Sequence, residues 1–188
     1  MARRIAHVIA FDDAPFTPAH RGDVWVVGAI FSGQRLDGVV SAKVRRDGAN
    51  ATRTLIRLIT QSRFASQLQL IMLQGVSFAG FNVIDVHGLH DALGVPVMVV
   101  ARKAPDMPAI RNALLARVPG GLRKWALIEA LGPMVPVAGI YVQCVGLTMA
   151  QAHESIRRFA VHGAIPEPLR TAHLIAGGMA GGHSRQRV

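Results

Sequence analysis

VPVMVVA, Val95 to Ala101, is the stretch whose reading decides how this chain folds. It is short, continuously apolar and rich in valine, and it lies between Gly94 and the Arg102-Lys103 pair. A half-exposed strand would alternate apolar and polar residues, so an unbroken run of this length reads as a strand with both faces buried. Such a strand needs a layer of helix on each side, which makes the fold class α/β. The flanks supply those helices. Upstream, GVSFAGFNVIDVHGLHDALG reads as a two-glycine loop followed by a helix closed by Gly94. Downstream, helical patterns run from about Met107 to Ala116 and from Arg123 to Leu131.

Moving outward toward the amino end, Leu68 to Leu73 reads as a strand. Leu55, Ile56, Leu58 and Ile59, set among Arg53, Arg57 and Arg63, form the apolar stripe of a helix begun near Asn50. Before Asp47-Gly48 come three β-type runs, Ile5 to Phe11, Val24 to Phe31 and Val39 to Val44, joined by the turn-rich Thr17 to Gly22 and Ser32 to Gly38. Connections that short imply an antiparallel meander. Toward the carboxyl end lie a strand from Gly139 to Val145 and helices from Thr148 to Val161 and Pro166 to Ala176. Residues 1–176 are therefore expected to form one domain, with 177–188 as a Gly-rich basic tail that frays. Three antiparallel strands followed by helix-separated parallel strands match the mixed sheet of the ribonuclease H-like layout, flanked by helices.

Composition narrows the function. A chain of 188 residues that is 51% hydrophobic and 17% charged can bury a substantial core and lacks the signature of disorder. No apolar run approaches the roughly 20 residues of a membrane span. The start, MARRIAHVIAF, has a basic flank, but its apolar run meets Asp12 and Asp13 before any cleavage site. A cytoplasmic protein without a membrane partner is the expectation. The single cysteine, Cys144 in IYVQCVG, excludes an internal disulfide and reads as a buried thiol. Twenty-one Lys and Arg against eleven acids give a net charge of +10, which suits an anionic partner such as DNA or RNA. Aromatic residues are only 5% of the chain, which argues against a stacking platform of the single-strand-binding kind and leaves Trp25 and Trp125 to the core.

In an open sheet of this type, ligands gather outside the carboxyl ends of parallel strands. If the first and fourth strands lie abreast, Asp12 of FDDAPF and Gln74 look into one crevice. Neighbours on a strand face opposite ways, so Asp12 is the crevice residue and Asp13, with Pro15, shapes the turn. Arg102 and Lys103 leave the buried strand at the same end and are the expected contacts for an anionic ligand. The GVSFAGFN loop reads either as a phosphate cradle or as a structural turn, since it lacks the Lys-Ser/Thr of a P-loop and Asn82 would also serve as a helix cap. Asp85, His87 and Asp91 read as a solvated helix face or a weak metal set, and the eight histidines show no HExxH spacing, which disfavours zinc. In IPEPLRTAH, Pro166 and Glu167 suit a helix start, while Arg170 and His173, three apart, share a face that could meet a phosphate.

FDDAPF, LQGVSFAGFNVIDVHGLHDALGVPVMVVARK and IPEPLRTAHLIA together resemble the uncharacterised endonuclease V-like family, domain of unknown function ninety-nine, over nearly the whole chain. At longer range the chain is similar to endonuclease V, a metal-dependent nuclease that cuts DNA or RNA near deaminated adenine. The resemblance implies a ribonuclease H-like fold, Mg²⁺ or Mn²⁺ as cofactor and a nucleic-acid partner. It places the nuclease's first-strand metal ligand on Asp12, its fourth-strand Asp-Gly on Gln74 and Gly75, its lysine on Lys103, and its PEP-x-R helix start on Pro166, Glu167, Pro168 and Arg170. It also shows losses. The nuclease's Glu has no carboxylate counterpart among residues 49–67, Asp47 being nearest, and its late histidine falls near Val145. Gln74 offers an oxygen without a charge, where Mg²⁺ is usually held by one or two carboxylates. The expected function is thus a nucleic-acid- or phosphate-ligand-binding protein with weakened or lost nuclease activity, using Asp12, Arg102, Lys103 and Arg170. One alternative is an active endonuclease whose metal sits on Asp12 with Asp13 or Asp85. The other is a non-catalytic small-molecule or protein-interaction module.

Overall fold

The structure is a computed structural model and describes residues 4–184. Three strands open it, β1 (His7–Asp13), β2 (Asp23–Ser32) and β3 (Arg35–Arg45), followed by α1 (Ala51–Thr60) and β4 (Leu70–Gln74). A two-stranded ribbon, β5 (Ser77–Phe78) and β6 (Asn82–Val83), precedes α2 (Val86–Leu93) and β7 (Val97–Ala101). Then come α3 (Met107–Arg117), α4 (Gly121–Glu129), β8 (Val135–Val137), β9 (Ile140–Val145), α5 (Met149–Phe159) and α6 (Glu167–Gly181). The seven-stranded sheet runs in the order β3-β2-β1-β4-β7-β9-β8. β1, β2 and β3 form the antiparallel meander, and β1, β4 and β7 are parallel.

The last sheet strand departs from the sequence reading, which had it parallel. β9 runs antiparallel to β7. The direct helical crossover that would have enforced parallel pairing is interrupted by β8, which forms a hairpin with β9 through Ala138 and Gly139, both at positive φ. Such a turn reverses the chain before it enters the sheet. The final helix also differs, running to Gly181 with Gly177 buried instead of ending near Ala176. Of the expected tail, residues 185–188 lie outside the described residues.

Alternation along the central strands builds two cores. Ile9 and Phe11 of β1, Ile71 and Leu73 of β4, and Val97 and Val99 of β7 point to one side, where Leu55 and Ile59 of α1 and Leu89 of α2 cover them. Val8, Ala10, Leu70, Met72, Met98 and Val100 point to the other, beneath Ile156 and Phe159 of α5 and Leu169 and Ala172 of α6. All twelve strand residues are fully buried. The VPVMVVA run is therefore apolar throughout because helices lie on both of its faces. A smaller cluster of Val83, Leu114 and Ile128 seats α3 and α4.

Close packing fixes β1 against its neighbour. A Cβ on Gly28 would stand 2.5 Å from Phe11 Cε1 and 2.8 Å from Val40 Cγ2, so the Phe11 ring fills the space that a side chain there would need. Cys144 is half-buried, and burial pushes its thiol up to about 11, so it is an inert structural group. Among the described residues no helix is long and apolar enough to cross a membrane.

Candidate active site

Parallel pairing of β1 with β4 puts Phe11 opposite Leu73, and the next residue on each strand is Asp12 or Gln74. The two side chains open into one crevice of about 470 Å³, lined by Asp12, Asp13, Ala14, Pro15, Phe16, Gln74 and His173. The juxtaposition expected from the strand order is present. α6 packs across β1 and β2 and delivers His173, whose Nδ1 lies 2.8 Å from Asp12 Oδ2. The other oxygen of Asp12, Oδ1, accepts the backbone N–H of Asp13 at 2.9 Å.

Asp13 departs from the sequence reading, because it lines the crevice as well. Alternation itself holds: Asp12 points to the α6 side, where His173 meets it, and Asp13 to the other, and the crevice spans both at the strand end. Asp13 is the last residue of β1, and the ladder to β2 continues past it, with the Ala14 N–H donating to Trp25 O at 2.8 Å. Asp13 Oδ2 is caught by the Ala79 N–H at 2.7 Å, in the loop that follows β4. Ala79 holds φ of 49°, and its carbonyl in turn accepts the N–H of Asp47 at 2.9 Å.

Electrostatics distinguish the two acids. Burial raises the Asp12 carboxyl above its ordinary range, opposed by its bond to His173. Burial, with the Asp12 charge adding to it, pushes Asp13 up to about 6, against the opposing bond from Ala79. The bond to Asp12 raises His173 in turn, partly offset by burial, and the nearby Arg102 charge pulls the same way as burial. The crevice thus sets one imidazole against two carboxyls whose ionisation burial opposes. Gln74 Oε1 is buried beside them with no hydrogen-bond partner. An orphaned carbonyl oxygen next to two carboxylates is a set of hard oxygen donors, which fits Mg²⁺ or Mn²⁺.

The other residues singled out from the sequence lie elsewhere. Arg170 Nε and Nη2 bind Glu167 Oε2 and Oε1 at 2.8 and 2.5 Å, so the guanidinium is committed to the start of α6. Arg102 and Lys103 are exposed at the exit of β7 and do not line the crevice. Gly75 has φ of 82° and donates its N–H to Val100 O, which makes it the turn out of β4. Asp85 caps α2, accepting the Gly88 N–H at 2.8 Å, and lies outside the crevice lining. Asn82 caps α1: it is fully buried, accepts the Ala51 N–H and donates to Arg45 O and Asn50 Oδ1. With its polar groups spent in this way, the GVSFAGFN loop is a structural turn. Asp47 accepts the Phe81 N–H on Oδ1 and the buried Lys124 Nζ on its carbonyl, so it pins the same loop. Among the described residues no group of three or more His, Cys, Asp or Glu is gathered as a complete metal cage.

Sequence reasoning marked His173 for a phosphate and missed its bond to Asp12, and it passed over Phe16. The helical spacing of Arg170 and His173 gave their shared face, but only the position of α6 across β1 shows what that face meets.

A mixed sheet in this order, flanked by helices, gives the ribonuclease H-like fold that endonuclease V also has. Residues 4–180 match the endonuclease dU family, and the chain belongs to it. It is 55% identical over 186 residues to a UPF0215 protein of Deinococcus radiodurans, covering 98% of this chain and 95% of that one. The crystal structure of a protein of unknown function from Archaeoglobus fulgidus superposes with a TM-score of 0.87 at 28% identity, covering 94% of this chain and 99% of that one. Ciona intestinalis endonuclease V, solved with DNA containing an inosine followed by a ribo-adenosine, superposes with a TM-score of 0.57 at 12% identity, covering 89% of this chain and 82% of that one. The resemblance read from the motifs, and the fold it implied, hold.

Proposed function

We propose that the chain is a divalent-cation-assisted endonuclease that hydrolyses a phosphodiester of nucleic acid in this crevice. The observation that carries the reading is the Asp12–His173 hydrogen bond of 2.8 Å, set beside Asp13 and the unpartnered Gln74 Oε1. The sequence argued for weakened catalysis because the nuclease's Glu and late histidine had no match and Gln74 stands where it has an Asp. Asp13 and Gln74 Oε1 beside Asp12, and the imidazole of His173 from α6, support a working centre all the same.

Asp12, Asp13 and Gln74 would hold the cation. Such an ion supplies Lewis-acid polarisation of the phosphoryl oxygens and lowers the pKa of water. Asp12 fixes the His173 ring by accepting from Nδ1, and no hydrogen bond among the described residues occupies Nε2. With its pKa raised, His173 keeps its proton to a higher pH than a free imidazole and can give one from Nε2 to the leaving oxygen as the P–O bond breaks. Asp13, raised to about 6 by burial in the absence of a cation, would be held ionised by the cation, whose lowering of the water pKa would let the attacking water lose its proton to solvent. One proton then leaves the attacking water and one is given to the leaving oxygen, so the count balances.

The name of the family points to deoxyuridine-containing DNA as the first substrate to try, and the DNA in the Ciona complex points to inosine-containing DNA as the second. Oligonucleotides of each kind, with unmodified controls, are incubated with Mg²⁺ or Mn²⁺ and with a chelator. Metal-dependent product that disappears in Asp12→Asn and His173→Gln supports the reading. Product indifferent to those substitutions, or to the chelator, refutes it. A second reading, binding without cleavage, is favoured by the missing charge at Gln74, and its signature is retained oligonucleotide affinity with no product.

A further inference from the structure

The crevice has two unlike walls. Asp12, Asp13, Gln74 and His173 make a polar one, and Ala14, Pro15 and Phe16 make an apolar one. Phosphodiester chemistry uses only the first. Phe16 packs against the main core yet remains only partly buried. It is also held in place by two neighbours while it lines the crevice. The Arg46 guanidinium carbon lies 5.3 Å from the ring centroid, and the His20 ring lies 6.2 Å away at 49°. Arg46 is itself tethered through Nη1 to the carbonyls of Pro18 and His20. A cation over an aromatic face is favourable, and two tethers stop the guanidinium from wandering. The result is a braced, partly open aromatic ring on the rim of a crevice whose far wall handles phosphate.

A ligand that suits both walls has an ionic part and a flat apolar part, which is the construction of a nucleotide. Resting on the nucleic-acid reading above, we infer that Phe16 is the specificity-determining contact that stacks on a nucleobase of the bound strand, next to the phosphate held by the polar wall. A single braced ring does not need the aromatic-rich surface whose absence is evident in the composition. It orders one base beside the reacting phosphate, and its reward is in binding and not in the chemical step.

The test uses the full chain and a short single-stranded DNA containing deoxyuridine, with a fluorescent purine analogue placed on either side of it in turn. Binding is measured in chelator, so that it is read apart from cleavage. Phe16→Ala is expected to weaken binding roughly 5- to 150-fold and to abolish the quenching of the analogue at one position. Phe16→Trp keeps both, while Phe16→Leu keeps the fold but loses the quenching. An abasic residue at the quenched position weakens the parent protein by a similar factor and leaves nothing further for Phe16→Ala to remove. Binding of Phe16→Ala and Phe16→Leu within about twofold of the parent, with quenching unchanged, overturns the inference. So does a parent that binds no oligonucleotide. Quenching and affinity that depend on Phe16 in a protein that never cleaves keep the stacking contact and remove only the nuclease, whereas cleavage indifferent to Phe16 does the reverse.

Discussion

Replacing Asp13 by Asn should stabilise the protein, and by an amount that depends on pH. The Asp13 carboxyl is pushed from 3.8 to about 6 in the folded chain. A group whose folded pKa is raised binds its proton more tightly in the native state, so stability falls as pH rises through the interval between those two values. The shift is 6 − 3.8 = 2.2, and at 1.36 kcal/mol per unit the ionised carboxylate costs the fold about 3 kcal/mol above pH 6. Residual contact with solvent reduces this, which makes roughly 1–3 kcal/mol the working range. Asn keeps an oxygen for the Ala79 N–H and carries no charge, and its amide nitrogen faces the open side of the crevice. Urea unfolding of parent and variant across this pH range is the assay. The variant should gain little below about pH 4 and the full difference above about pH 7. Added Mn²⁺ should stabilise the parent and narrow the gap, because only the parent regains what the charge is there for. A difference independent of pH, or a variant less stable than the parent at high pH, would refute the account of Asp13 as a strained, cation-seeking carboxylate.

Three further outcomes follow from the same geometry. His173→Gln should lower kcat/KM for the cleaved oligonucleotide by about 10²- to 10⁴-fold and flatten the alkaline limb of the rate profile, read in steady-state assays across pH. Gln74→Asp adds a third carboxylate to the crevice; calorimetric titration should show tighter Mn²⁺ binding, and unfolding without metal should show lower stability than the parent. Gly28→Ala forces a methyl group into the Phe11 ring and should cost about 1–3 kcal/mol in urea unfolding, with the crevice chemistry lost only as the fold is lost.

The parts of the fold legible in the sequence are those set by local pattern. The apolar run at Val95 to Ala101, the stripe on α1 and the turn residues between β1, β2 and β3 each report their own surroundings, so the meander and the central parallel strands could be read directly. β9 could not, because its direction depends on β8, three residues of weak pattern whose hairpin acts only once the sheet edge exists. The site divides in the same way. Asp12 and Gln74 were legible because each ends a recognisable strand and strand ends converge. Asp13 was misread because alternation tells which side of the sheet a residue faces and not that a crevice at the strand end is open to both, and the Ala79 N–H that captures it comes from a residue far along the chain. Arg170 was assigned to the ligand, but Glu167 one turn away on the same helix satisfies it first. Helical spacing shows which residues share a face and is silent on which neighbour wins them.

The bond between Asp12 and His173 spans 161 positions in the chain. During synthesis the acids emerge well ahead of their imidazole, which arrives only after the whole sheet has been translated. A half-made polypeptide on the ribosome thus lacks the assembled pair, which forms only once α6 has docked on β1.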